Sequence, residues 1–251
     1  MNITAAAGNL VSMTDAVTTS HPAHAAIGGN ALRASVLGAN DGLVSNLSLV
    51  TGVAGAGLES RLILITGIAG LIAGACSMAM GEWISVQSSR ELNRRELAVE
   101  RAEIAGFPEE ERLELIDIYE SRGLSTAVAT QIAEHVMADP DRALQVMARE
   151  ELGIDPQKLG GSAWTAAASS FALFVVGAIV PVVWFAFLPV STGVPISVAA
   201  SALGLFAIGV AITRVTDRPP WRSGLRQLLI GLAAALLTYA TGTLLGVSVG
   251  A

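Results

Sequence analysis

Asp41 stands in the stretch LGANDGLVSN, inside an otherwise apolar run. An ionised carboxylate near mid-membrane costs about 3 kcal/mol even on a lenient insertion scale, so such a residue usually faces a partner or a pathway. Ser45 and Ser48 follow at i+4 and i+7 and share its helix face. The next apolar run, AGACSMAMGEWISV, holds Met78 and Glu82 one turn apart, with Ser85 continuing their face. Carboxylates beside a thioether form a mixed ligand set, which favours a borderline transition ion over Mg²⁺ or Ca²⁺. A third set lies further on. Glu100 and Glu103 are three residues apart, Glu111 and Glu114 repeat that spacing, and Met147 and Glu151 stand at i and i+4. Glu-x-x-Glu pairs on adjacent helices can converge on divalent ions, as carboxylates do in helical metal bundles. Spacing alone fits a solvated face equally well, because Glu is favoured at helix starts and most acidic runs are solvated. Ionised glutamates sharing a cation should lose it as pH falls toward the carboxylate reference of ~4.3.

The elements that must position these residues follow from composition. Of 251 residues 52% are hydrophobic and only 14% charged, with a mean hydropathy of +0.59. Soluble domains carry about 25% charge. Arg90 to Lys158 holds sixteen acids and nine bases, whereas the flanks are long and nearly uncharged. The expected fold is an all-α membrane protein: five transmembrane helices with a cytoplasmic helical insertion between the second and third. The spans run from Ala34 to Ala56, Leu62 to Val86, Trp164 to Leu188, Pro195 to Thr213 and Leu225 to Val249. Each has roughly the twenty residues that a ~30 Å hydrocarbon core requires. The chain thus divides into a disordered tail (1–31), spans one and two (32–89), the insertion (90–160) and spans three to five (161–251). The tail lacks the basic start and apolar core of a signal peptide.

Of fifteen Lys and Arg, only Arg61 falls on the side that owns GLES, PVSTG and the C-terminus. Basic loops stay cytoplasmic, so the tail and insertion are expected inside and the C-terminus outside. Asp41 then lies about 12 Å in from Arg33, and Met78 about 25 Å in from the opposite side, at nearly matching depth. The second span should run on into the cytosol as one long helix. Pro108 suits the first turn of the next helix, after the GFP break. The acidic balance suits a cation rather than nucleic acid. The single cysteine, Cys76, excludes an intramolecular disulfide and reads as a small buried packing residue.

Together these motifs resemble the vacuolar iron transporter family. RASVLGANDGLVSNLSLVTGVAGAG is similar to its first span and AGLIAGACSMAMGEWISVQSSRE to its second. The Glu-rich insertion closing on EELGIDP is similar to its cytoplasmic metal-binding domain. The resemblance implies a homodimeric, proton-coupled exporter of cytosolic Fe²⁺, with Mn²⁺ as a second cargo and the pathway at the dimer interface. It places the pathway aspartate at Asp41 and the pathway methionine at Met78, and the metal ligands of the insertion at Glu100, Glu103, Glu111, Glu114, Met147 and Glu151. The chain departs from the pattern at Ala34, Gly70 and Ala148, where some members carry an acid, a glutamate and a methionine. Glu82 is the residue that could supply a missing carboxylate, and Ser45 extends the Asp41 face.

Two other classes compete. A membrane-anchored metal sensor or storage protein would use the insertion alone, and a mere anchor has no use for a buried acid. An intramembrane enzyme needs a nucleophile and base at shared depth, and no span contains histidine. Arg outnumbers Lys fourteen to one and Ala and Gly dominate, which points to a bacterial plasma membrane.

Overall fold

A computed structural model describes residues 29–157, 159, 161–216 and 219–249. All its regular structure is helical: α1 (Gly29–Gly55), α2 (Ser60–Gly106), α3 (Pro108–Ser121), α4 (Thr126–Met137), α5 (Pro140–Glu150), α6 (Ala163–Val182), α7 (Val190–Thr216) and α8 (Pro220–Val249). The tail expected over residues 1–31 lies outside the described residues, save Gly29 to Ala31, which α1 includes.

Among the described residues, four helices are long and apolar enough to cross a membrane: Ser60–Gly106, Ala163–Ala186, Val190–Thr213 and Pro220–Gly246. The chain is therefore a multi-pass membrane protein. α1 is not among the four, because Asn40, Asp41 and Asn46 dilute its apolar residues. It is nonetheless built into the bundle. α1 meets α6 at Gly42 and Gly177, where a Cβ on either would strike the other helix's backbone carbonyl. It meets α8 at Gly242, where a Cβ would strike the Gly52 carbonyl. Small residues let backbones approach closely where lipid provides no hydrophobic drive for association. Polar side chains add ties across the same crossings. Asn46 donates to Gly67 O on α2 and Ala178 O on α6, both at 3.2 Å. Thr51 donates to Ala235 O on α8 at 3.3 Å. Packing between α2 and α6 and between α7 and α8 completes the bundle.

The expected long helix is present. α2 runs 47 residues, about 70 Å, without a proline. Its membrane half carries an outward stripe of exposed Ile65, Ile68, Ile72, Met80 and Ile84. Cys76 falls on that stripe and is exposed, not the buried packing residue expected. Periodicity set its place on the helix, but α1 and α6 cover the opposite face.

Pro181 sits near the end of α6, which passes into a 3-10 turn over Val183–Ala186. A proline cannot donate to the helical ladder, so the carbonyl four residues before it, Gly177 O, loses its usual helical donor. Ser197 Oγ on α7 donates to the Pro181 carbonyl at 2.7 Å. α7 begins at Val190, before the expected start at Pro195, and takes that proline inside the helix. Trp83 and Trp164 meet with ring centroids 5.8 Å apart. Arg222 stacks on Trp221 at 5.2 Å. All three indoles mark the end of the bundle from which the insertion departs, as aromatic residues do at a membrane boundary.

Beyond that boundary the end of α2 and α3 to α5 build their own core: Ile104, Leu115, Ile116, Ala129, Ala133, Val136, Ala143, Leu144 and Met147. Pro108 opens α3 as expected. Asp139 caps α5, its carboxylate accepting from Asp141 N at 3.0 Å. An Arg122–Glu150 ion pair ties the end of α3 to the end of α5.

Candidate functional site

Two sites emerge, one on each side of the Trp83–Trp164 level. Within the bundle a cleft of about 400 Å³ opens between α1 and α2, lined by Asp41, Ser45, Asn46, Leu49, Gly70, Gly74, Ser77, Met78 and Phe174. Depth matching along two helices had paired Asp41 with Met78, and the structure brings both to one cleft with Ser45. Asp41 and Ser45 are exposed on the surface of the single chain, whereas Met78 is half-buried against Phe174. Phe174 is 2% exposed and fills the space above Gly74, so it forms the back wall. Glu82 does not line this cleft, although it lies one turn past Met78. Ser48 does not line it either; its hydroxyl is buried without a partner among the described residues.

Sequence reasoning overlooked Asn46 and Ser77. Asn46 lies at i+5 from Asp41, about 140° round the helix, and so falls off the face that Ser45 and Ser48 define. The available signal was its polarity, since a carboxamide within a span must find partners.

The second site is in the insertion. Glu100 near the end of α2, Glu111 in the first turn of α3 and Glu151 at the end of α5 each present a carboxylate oxygen, all within 4.8 Å of one another. Three helix ends converge because the Phe107 break folds α3 back beside α2, while the Ile104–Leu115–Met147 core draws in α5. Glu100 is 2% exposed and its Oε1 has no partner among the described residues. Burial first, then the charges of Glu151, Glu111 and Glu103, push its carboxyl up to about 8. Glu111 is raised by burial, then by Glu114, Glu103, Glu151 and Glu110. Burial and Glu114 also raise Glu151, while its hydrogen bond with Glu100 works the other way. That pattern describes a protonated Glu100 donating to an ionised Glu151.

Glu103 and Glu114 are exposed at the rim, close enough to act on the inner three by charge. Met147 is fully buried in the core, one turn before Glu151, whose N–H bonds its carbonyl at 2.9 Å. Crowded carboxylates in low dielectric repel one another, and either protons or a multivalent cation must offset that cost. A divalent ion with oxygen preference fits a three-oxygen cluster of this size. The raised Glu100 moves the expected pH window: proton and cation compete well above the ordinary carboxylate range.

Comparison with known proteins identifies the family. The chain is 31% identical over 215 residues to vacuolar iron transporter 1 of Eucalyptus grandis, an alignment covering 84% of this chain and 85% of that one. To vacuolar iron transporter 1 of Oryza sativa subsp. japonica it is 30% identical over 223 residues, 87% of each chain. To the vacuolar iron transporter of Acanthamoeba castellanii it is 39% identical over 185 residues, 70% of this chain and 66% of that one. A profile of the VIT family matches residues 32–243, a span that contains both the cleft and the glutamate cluster. The chain is therefore a member of the VIT family.

Proposed function

We propose that the protein is a proton-coupled transporter that moves Fe²⁺, and Mn²⁺ as a second cargo, out of the cytosol, and that it is not an enzyme. The observation that carries this reading is the cleft: a carboxylate and a thioether from two helices share one space inside a bundle of membrane length. The names of its relatives as iron transporters support the choice of cargo. In this reading α1 is a fifth span, supported by its close glycine crossings with α6 and α8. The insertion is cytoplasmic, because the basic residues gather on its side. It is a metal-binding domain in which Glu100, Glu111 and Glu151 hold the ion and Glu103, Glu114 and Met147 complement them.

Exposure of Asp41 and Ser45 on the single chain leaves the cleft open on one side. A second copy packed along the outward stripe of α2 closes it, so the working unit is a homodimer. The surrounding membrane is that of a bacterial cell, in keeping with the Arg and Ala bias. Glu82 stands outside the cleft and takes the role of a proton-carrying group near its mouth. The competing reading, an anchored metal sensor or store, leaves the cleft without a purpose.

Reconstituted protein separates the two. Fe²⁺ uptake into proteoliposomes should respond to an imposed pH gradient, and Asp41→Asn should abolish it while the protein stays folded. Met78→Leu, nearly isosteric, should weaken transport of the softer ions most. Wild-type transport by Asp41→Asn would remove the cleft from the pathway.

A further inference from the structure

We propose that Asn46 is a metal-contacting residue of the pathway, its carboxamide oxygen a neutral donor at the Gly70 level of the cleft, further along it than Asp41 and Met78. This inference rests on the reading of the cleft as the pathway.

Asn46 is 1% exposed, yet it borders the cleft. Its Nδ2 donates to two backbone carbonyls on two different helices, Gly67 O and Ala178 O. Both acceptors are carbonyl oxygens, so the amide cannot be turned the other way round. The two N–H groups are consumed, and Oδ1 is held in one orientation. That oxygen points to the Gly70 side of the cleft: it lies 2.8 Å from where a Cβ on Gly70 would stand. Gly70 itself lines the cleft, so the missing side chain is what leaves the oxygen room there. Among the described residues no donor bonds to Oδ1.

A tie between helices does not need this arrangement. Elsewhere in the bundle hydroxyls suffice, as Thr51 does to Ala235 O and Ser197 to Pro181 O. A carboxamide differs in leaving an acceptor after its donors are used. An amide oxygen is a hard ligand that adds no charge. In a cleft that also holds the Met78 thioether, it adds a separate station toward the oxygen-preferring end of the series, where Mn²⁺ lies beyond Fe²⁺. Its immobility adds pre-organisation, since an oxygen already fixed by two bonds loses little freedom when a cation arrives.

The test is uptake of Fe²⁺ and Mn²⁺ by full-length protein in proteoliposomes, with thermal unfolding of each variant. Asn46→Leu should raise KM for Mn²⁺ about tenfold and KM for Fe²⁺ by less, shifting their ratio. Asn46→Asp loses the two donated bonds but keeps an oxygen and adds charge. It should lower KM for both ions below wild type even where it unfolds at lower temperature. A purely structural tie predicts that both variants are less stable, with the Mn²⁺ to Fe²⁺ ratio unchanged, and that outcome overturns the assignment. Where Asn46→Leu does not fold, Asn46→Asp decides alone: KM at or above wild type refutes a metal contact. Asp41→Asn serves as the reference. If it transports normally, the cleft reading itself has failed; if it is inactive while the Asn46 variants keep the wild-type ratio, only the role of Asn46 is lost.

Discussion

At neutral pH the metal-free glutamate cluster keeps a proton on Glu100, whose carboxyl titrates at about 8. A divalent ion must displace that proton, because a ligand carboxylate binds in its ionised form. Affinity should therefore climb with pH wherever Glu100 is still protonated. Between pH 6 and pH 8 the ionised fraction rises from about one in a hundred to about one half, which makes binding about fiftyfold tighter. Close to one proton should be released per ion at pH 7. The assay is calorimetric titration of full-length protein in detergent with Mn²⁺, in two buffers of different ionisation enthalpy so that released protons are counted. An Asp41→Asn background restricts the signal to the insertion. Glu100→Gln has no proton to displace at that position; its affinity should be weaker at pH 8 and nearly flat down to pH 6. The reasoning is refuted if wild-type affinity changes less than twofold over that range, or if the slope is as steep in Glu100→Gln.

The same proton acts in the opposite direction on the stability of the metal-free insertion. Glu100 is raised from 4.5, so its contribution is complete below that value and is lost as pH rises through about 8. Hydrogen exchange of core amides in α4 and α5 should report roughly 3 kcal/mol less protection at pH 9 than at pH 6, and little change in Glu100→Gln. Replacing Glu100, Glu103, Glu111 and Glu114 together by alanine should reduce transport mainly at low metal concentration and leave an Asp41-dependent rate at saturation, because about 33 Å of helix separates Glu100 from Met78. A folded, dimeric quadruple variant that is inactive even at saturating metal would require the insertion to act within the transport cycle. Gly177→Ala should lower thermal stability by ~1–3 kcal/mol, since its methyl would meet the Ala39 carbonyl and force α1 and α6 apart.

Much of the candidate site could be read from residue spacing, and the exceptions have a common cause. Helical rise alone brought Asp41 and Met78 to one depth, because rise per residue does not depend on neighbours. The Glu-x-x-Glu pairs and the GFP break likewise anticipated Glu100 beside Glu111. Rotation about the helix axis is different. Periodicity groups residues on a face, but which face meets a neighbour is decided by packing. Glu82 shares a face with Met78 and still misses the cleft, while Cys76 turns outward because α1 and α6 occupy the other side. Asn46 was passed over for the same reason: its place is set by Gly67 and Ala178, which belong to two other helices. The raised carboxyl of Glu100 was equally hidden. It depends on the depth of burial and on Glu151, fifty-one residues away in the chain.

The uninterrupted α2 has a mechanical consequence. It carries Met78 in the cleft and Glu100 in the cluster on one rod, with no proline between them to absorb bending. A rigid tilt of about 5° pivoting at Met78 would sweep Glu100 sideways by about 3 Å, comparable with a cation–oxygen distance. Glu111 and Glu151 are carried on other helices, so such a sweep would alter the spacing of the three oxygens. Motion at the cleft would then loosen or tighten the grip on an ion far outside it, making α2 a lever that can time release at one end to vacancy at the other.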